Sequence, residues 1–244
     1  MKAKILAALF AAGMLTPALA QEDDGGDIIQ YYFVEVKSGH GTEFNAGWDA
    51  FWACYRDNDG QWEWSAWNPA AGKLGGVMFR SMGHQWADFD AEDPAGKACD
   101  EAFETSLAPH FGDVYSGFER YLADMSRPTD DPVNVVMTYQ FDFSNIEAAR
   151  EVIAAWHEAF VDADWGAYVW LENVAGGGKW DMTVAILEEN FAGFAPSDPG
   201  FDEVQEAYHG KRKADSLDRK WREAVKSVRR GMWRRNEELS YSPE

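Results

Sequence analysis

Glu63 and Glu172 stand in two short runs dense in aromatic residues, QWEWSAW at 61–67 and GAYVWLEN at 166–173. A carboxyl held against rings loses solvation and favours its neutral acid, whereas one with polar neighbours keeps its charge. Two such groups can divide the acid and base roles of a reaction. Their separation is not legible in the sequence, so neither is assigned a catalytic role. Of the five histidines, His40 and His84 read as loop residues, while His110, His157 and His209 fall in helical periodicity. His157 and His209 are the positions from which an imidazole would ligate a haem; no H-x-x-x-H pair points to zinc. Cys54 and Cys99 lie outside any C-x-x-C, which removes a thioredoxin-like site. The run Asp57-Asn58-Asp59-Gly60 has Asn68 where a calcium loop needs its twelfth-position Glu. Gly72-Lys73 lacks the remaining residues of a phosphate loop, and G-x-S-x-G is absent.

What positions these residues is a duplication. WADFDAEDPAGKACDEAF at 86–103 and FAGFAPSDPGFDEVQEAY at 191–208 share a pattern at an offset of 105, which extends without a gap back to Ala50 and Ala155. Asp57 then meets Asp162, Asp59 meets Asp164, Asn68 meets Asn173, and Asp93-Pro94 meets Asp198-Pro199. In each copy a β-branched and aromatic run (28–36, 133–141) predicts a strand. Apolar residues at helical spacing follow: Phe44, Trp48, Phe51, Trp52 and Tyr55, then Ala149, Val152, Ile153, Trp156 and Phe160. A strand (61–67, 166–173), a glycine-rich turn and another strand (77–82, 182–187) come next. Asp93 and Asp198 sit where a helix cap belongs, before a second helix (about 95–116, 200–230) and a last strand (118–125, 232–237).

That order, β-α-β-β-α-β twice, is two ferredoxin-like repeats, each an antiparallel sheet with both helices on one face. The fold class is α+β, and the two uncovered sheets are expected to face each other within the chain as an α+β barrel. Alternation along each strand then sorts side chains. At offset 105, Trp62, Trp64 and Ala66, with Ala167, Val169 and Leu171, form the apolar set that helices cover. Glu63, Ser65 and Trp67, with Tyr168, Trp170 and Glu172, fall on the other face. Tyr31, Phe33 and Arg80 join them, so Tyr31, Phe33, Glu63, Trp67, Arg80, Tyr168, Trp170 and Glu172 are the expected lining of an aromatic and acidic cavity for a small-molecule ligand. The competing reading is a filled interface in which Arg80 pairs with a carboxylate. Cys54 and Cys99 fall on the two neighbouring helices of the first copy, a placement that allows a disulfide.

On element order and duplication, residues 28–237 resemble the dimeric α+β barrel superfamily in tandem form. The resemblance implies the barrel. It leaves the chemistry open between cofactor-free monooxygenases, haem-degrading enzymes, chlorite dismutase-like haem proteins and proteins of other roles. Trp67, Asn68 and His84 imitate the Trp, Asn and His that cofactor-free members use, although Trp67 and Asn68 point to opposite faces of a regular strand.

MKAKILAALFAAGMLTPALA at 1–20 reads as a secretory signal peptide cleaved after Ala20, which makes the expected location periplasmic or secreted. Residues 21–27 read as an acidic flexible N-terminus, 28–127 as the first repeat, 128–132 as a linker, 133–237 as the second repeat and 238–244 as a tail. The formal charge of −20 excludes nonspecific binding to nucleic acid, and no later run is long and apolar enough for membrane insertion. Lys211–Arg235 gathers eleven of the 22 basic residues, as expected of a solvated helix face balancing an acidic body. The expected function is exported small-molecule binding. The alternatives are a haem-dependent or cofactor-free oxidoreductase of the barrel type, and a structural protein with a filled barrel. Homo-oligomers are compatible with each.

Overall fold

A computed structural model describes residues 26–72, 74–176 and 178–243. The leader and nearly all of the acidic N-terminus lie outside the described residues. The elements run β1 (Ile28–Val36), α1 (Gly41–Asp57), β2 (Ser65–Ala71), β3 (Gly76–His84), a segmented helical stretch over 94–110, and β4 (Phe111–Tyr121). The second copy follows with β5 (Val135–Phe143), α2 (Ile146–Asp162), β6 (Tyr168–Gly176), β7 (Met182–Glu188), α3 (Phe201–His209), α4 (Lys211–Ala224) and β8 (Val225–Arg235). The strands hydrogen-bond in the order β1-β3-β2-β8-β5-β7-β6-β4 and close on themselves as an antiparallel barrel. Each copy contributes the order 4-1-3-2 of a ferredoxin-like sheet.

The chain divides into two compact units. One holds β1 to Phe118 and the segment from Arg235 to the C-terminus; the other holds Glu119–Arg234 with Ala70–Gly72. In the first, α1 buries Phe44, Trp48, Phe51, Trp52 and Tyr55 against Tyr32, Val34, Ala66, Val77 and Phe79. The spacing of those five aromatics is what makes the segment helical in this setting, since aromatic and β-branched residues have only middling helix propensity. The Trp48 ring lies 4.3 Å from that of Phe79 and 4.9 Å from that of Trp52. Gly47 lets the helix approach closely, because a Cβ there would fall 2.3 Å from the Ser106 carbonyl oxygen. Cys54 and Cys99 form a disulfide that ties α1 to the 94–110 stretch, with Cα atoms 5.9 Å apart. In the second unit, α2 buries Ala149, Val152, Ile153, Ala159 and Phe160, and Asn145 caps it by accepting the Ala148 N–H at 3.0 Å.

Both helices end in the same left-handed turn, at Asp59 (φ 57°) and Asp164 (φ 52°), the offset-105 pair. Asp and Asn tolerate that region better than other side chains. The N–H of the next residue bonds back to Tyr55 in one copy and to Phe160 in the other.

Several boundaries differ from the expectations. The second helical stretch of copy one stops at His110, because Pro109 cannot donate to continue it, and β4 begins at Phe111. Gly210, at φ 75°, divides the expected 200–230 helix, and its last part is strand: β5 pairs with β8 from Val135↔Arg234 to Phe143↔Val225. Ladder pairing there overrides the local helical signal. Asp93 and Pro94 do begin a helix, with Asp93 accepting the Tyr55 hydroxyl at 3.0 Å, but in copy two Gly200 stands before α3 in place of Asp198. Residues expected as a tail return to the first core: Leu239 and Tyr241 are buried, Trp52 donates its indole N–H to the Leu239 carbonyl, and Trp64 pairs with Tyr241.

The disulfide closes a loop over a sequence separation of 45, for which chain entropy gives a stabilisation of about 4 kcal/mol. Urea denaturation of the Cys54→Ala/Cys99→Ala variant is expected to show a lower midpoint, by about 2–4 kcal/mol of unfolding free energy. An unchanged midpoint would contradict that coupling.

Candidate functional site

The face of the first sheet turned away from α1 carries two rows of side chains. Across β1, β3 and β2, Tyr31 stands opposite Arg80 and Arg80 opposite Ser65; one pair along, Phe33 stands opposite Met78 and Met78 opposite Trp67. Tyr31 and Phe33 are buried yet take no part in the core beneath α1. The Phe33 ring stacks on that of Tyr115 from β4, centroids 5.1 Å apart and planes 12° apart. It also lies over Gly76, where a Cβ would sit 2.3 Å from the ring, so only glycine leaves it room. Trp67 donates its indole N–H to the Ser65 hydroxyl at 3.1 Å, and that hydroxyl donates to the Arg80 carbonyl at 3.2 Å. The result is an aromatic surface with one guanidinium, fixed by cross-strand registry.

Four of the expected lining residues, Tyr31, Phe33, Trp67 and Arg80, therefore share a face. Glu63 precedes β2 and is exposed. Tyr168, Trp170 and Glu172 lie on the helix-covered face of the second sheet, which corrects their expected orientation. Tyr168 and Trp170 belong to the core beneath α2, and the Tyr168 hydroxyl lies 2.9 Å from His157 Nδ1 on that helix. Glu172 accepts from Arg150 of α2 and lies 3.6 Å from Arg120, so it is a structural ion-pair partner. The cause is one residue: five positions separate Asp59 from Trp64, but only four separate Asp164 from its counterpart Tyr168, and each of these two residues begins its strand pairing with an isolated bridge. A slip of one moves every side chain of a strand to the other face. Burial pushes the Tyr168 phenol up to about 12, with Arg127 opposing.

The same face of the second sheet carries fewer rings. Val136, Thr138 and Gln140 on β5 stand opposite Leu187, Ala185 and Thr183 on β7. Trp233 donates to the Thr138 hydroxyl at 3.1 Å. On β8, Trp233 stands opposite Val136 and Arg229 opposite Gln140, so this face also carries a ring and a guanidinium, without the cluster of rings seen in the first copy. Ser65 and Met78 complete the first sheet's face on the side that strand alternation gives them, whereas Tyr115 was not among the expected lining. Tyr115 was hidden by the misplaced helix end, although the alternation of VYSGFE after Pro109 carries the signal.

His84 occupies a separate niche in the first unit. It stacks on Trp62 at 4.2 Å, and its Nε2 is 2.7 Å from the Ser81 hydroxyl. A Ser-His-Asp reading fails on two counts. Ser81 is 1% exposed and closed to substrate, and Asp88 stands 3.9 Å from His84 Nδ1 while accepting the Gln85 N–H at 2.7 Å. Among the described residues no group of three or more His, Cys, Asp or Glu side chains is arranged around a metal position, and no helix is long and apolar enough to cross a membrane.

No protein-family model and no curated protein matches the sequence. Solved structures do match. A mutant chlorite dismutase from Candidatus Nitrospira defluvii, in complex with cyanide, superposes with a TM-score of 0.52 at 8% identity, over 88% of this chain and 92% of that one. The likeness is one of fold. A monooxygenase-like protein from Fusobacterium nucleatum gives 0.51 at 10% identity over 91% and 100% of the two chains, and an anthrone oxidase-like protein gives 0.50 at 10% over 88% and 93%.

Burial lowers the His84 pKa from its ordinary value, and Asp88 opposes the shift. A histidine that resists protonation when folded is protonated more readily in the unfolded chain. Its contribution is present above the unfolded value of about 6.5 and is lost as pH falls from there through the folded value. The difference in Tm between wild type and His84→Phe is expected to move in favour of the variant as pH drops from 7.5 to 5. A constant difference would contradict the assignment.

Proposed function

We propose that this chain is an oxidoreductase acting on a small, flat, ionisable organic molecule held on the helix-free face of its first sheet. The observation that carries the proposal is the combination of Trp67, Tyr115 and Arg80 on one registered face, backed by the buried rings of Tyr31 and Phe33. Aromatic side chains contribute large contact area to a flat ligand, and stacked pairs add about 0.5–1.5 kcal/mol beyond burial. A guanidinium beside the rings favours the phenolate or enolate form of the substrate, which is the electron-rich species an oxidant attacks. The barrel is shared with a monooxygenase-like protein and an anthrone oxidase-like protein, which supports an oxidative role over simple carriage. The Cys54–Cys99 disulfide supports export to an oxidising compartment, in line with the leader-like first twenty residues.

Haem, implied by the resemblance for some barrels, was tested at the two helical histidines. His157 Nδ1 faces the Tyr168 hydroxyl, and His209 Nε2 lies 3.0 Å from the Ala155 carbonyl oxygen. Around them the rings of Phe160 and Trp165 stack at 4.5 Å, those of Trp156 and Phe201 meet at 5.1 Å, and Phe160 meets Phe201 at 5.4 Å. Rings already in contact leave no slot between them for a macrocycle, so these two positions do not fit a haem, and no step is routed through one.

Polycyclic ketones such as anthrone, which ionise to a phenolate-like enolate, are expected to quench tryptophan fluorescence on binding and to be consumed with oxygen uptake. Arg80→Met and Trp67→Ala are each expected to lower kcat/KM about tenfold, or about 1.4 kcal/mol, with far-UV circular dichroism unchanged. Binding without oxygen uptake would reduce the reading to ligand carriage. A Soret band in protein purified from its own host would overturn the site assignment.

A further inference from the structure

We propose that His40 and His110 form a transition-metal site at one end of the first unit, with a preference for Cu(II) and Ni(II). His40 immediately precedes α1 and His110 immediately precedes β4, seventy residues later in the chain. Their Nδ1 atoms lie 3.0 Å apart, and the ring planes are inclined at 47°. Both side chains are half-buried.

The two loops are held together by the backbone independently of the imidazoles. The Lys37 N–H donates to the His110 carbonyl at 3.0 Å, the His40 N–H donates to the Lys37 carbonyl at 3.0 Å, and the Lys37 ammonium donates to the Pro109 carbonyl. The ring nitrogens therefore meet on a scaffold already in place, which is the arrangement a ligand pair needs if binding is not to carry the full ordering entropy.

Two imidazole nitrogens with no thiolate beside them suit borderline divalent metals, and the Irving–Williams order places Cu(II) above Ni(II) and Zn(II) at such a site. Water would complete the coordination, since no third His, Cys, Asp or Glu among the described residues is arranged to join the pair.

Without a metal, the same pair is satisfied by one proton: one Nδ1 carries hydrogen and donates, and the other accepts. On metal binding the donating ring passes its proton from Nδ1 to Nε2 through solvent, and each ring then offers an Nδ1 lone pair. That exchange moves one proton from one nitrogen to the other of a single ring and leaves the charge of both rings unchanged. The strongly acidic composition of the chain raises the local concentration of divalent cations around it.

The test is calorimetric titration of the full mature chain, without an affinity tag and stripped with chelator, using Cu(II), Ni(II), Zn(II) and Ca(II) at pH 7.4. One equivalent of Cu(II) is expected to bind, more tightly than Ni(II) and at least tenfold more tightly than Zn(II), with no binding of Ca(II) at this site. The electron paramagnetic resonance spectrum of the Cu(II) form is expected to show hyperfine coupling to two imidazole nitrogens, a readout that needs no variant. His40→Ala and His110→Asn are each expected to weaken Cu(II) binding at least tenfold, while His157→Ala leaves it unchanged. Equal Cu(II) affinity in the His40→Ala/His110→Asn protein, coupling to a single nitrogen or none, or a preference for Zn(II), would overturn the proposal. These outcomes do not depend on oxidation of any organic substrate.

Discussion

In a closed antiparallel ladder the backbone N–H and C=O groups of every strand are taken up by neighbours on both sides, so no strand can slide to correct a misplaced side chain. Registry then determines which residues share a face. Tyr31, Arg80 and Ser65 form one row and Phe33, Met78 and Trp67 the next because β1, β3 and β2 pair in that register. The candidate surface is a consequence of that pairing, and its arginine is held beside its rings by the same bonds that hold the sheet.

The duplication was conserved in outline and altered in detail. The helices with their buried faces and the left-handed aspartates at their ends recur at a constant offset. Beyond that turn the second copy enters its strand one residue sooner, and everything downstream on β6 changes sides. Glu172, which on the other face would have been a candidate acid or base, instead joins Arg150 and Arg120 beside α2. The helix-free face of the first sheet thereby gathers Tyr31, Phe33, Trp67 and Arg80, while that of the second carries Val136, Thr138 and Gln140 with Trp233 and Arg229.

The cores show why the helices tolerate so many aromatic residues. Around α1, rings meet edge-on or stacked at centroid distances of 4.3 to 6.2 Å, with the disulfide and the returning Tyr241 closing the cluster. Around α2, Trp221 meets Phe141, Phe143 and Trp156 in the same manner. Quadrupole-directed contacts of this kind give each core a defined arrangement.

Element order, the tandem repeat, the helix faces and the cysteine pairing were legible in the sequence, because period-3.6 and period-2 patterns and an offset of 105 are properties of residue order alone. The face on which Tyr31, Phe33, Trp67 and Arg80 meet was legible for the same reason. The start of β4 with Tyr115, the strand formed by 225–235, and the return of Leu239 and Tyr241 to the first core were not. Each depends on a partner strand or core distant in sequence, whose hydrogen bonds override local preference. The faces of Tyr168, Trp170 and Glu172 turned on a single residue in a turn, a difference too small to register against an otherwise constant offset. The approach of His40 to His110 likewise exists only where two loops seventy residues apart are brought together by the backbone bonds between them.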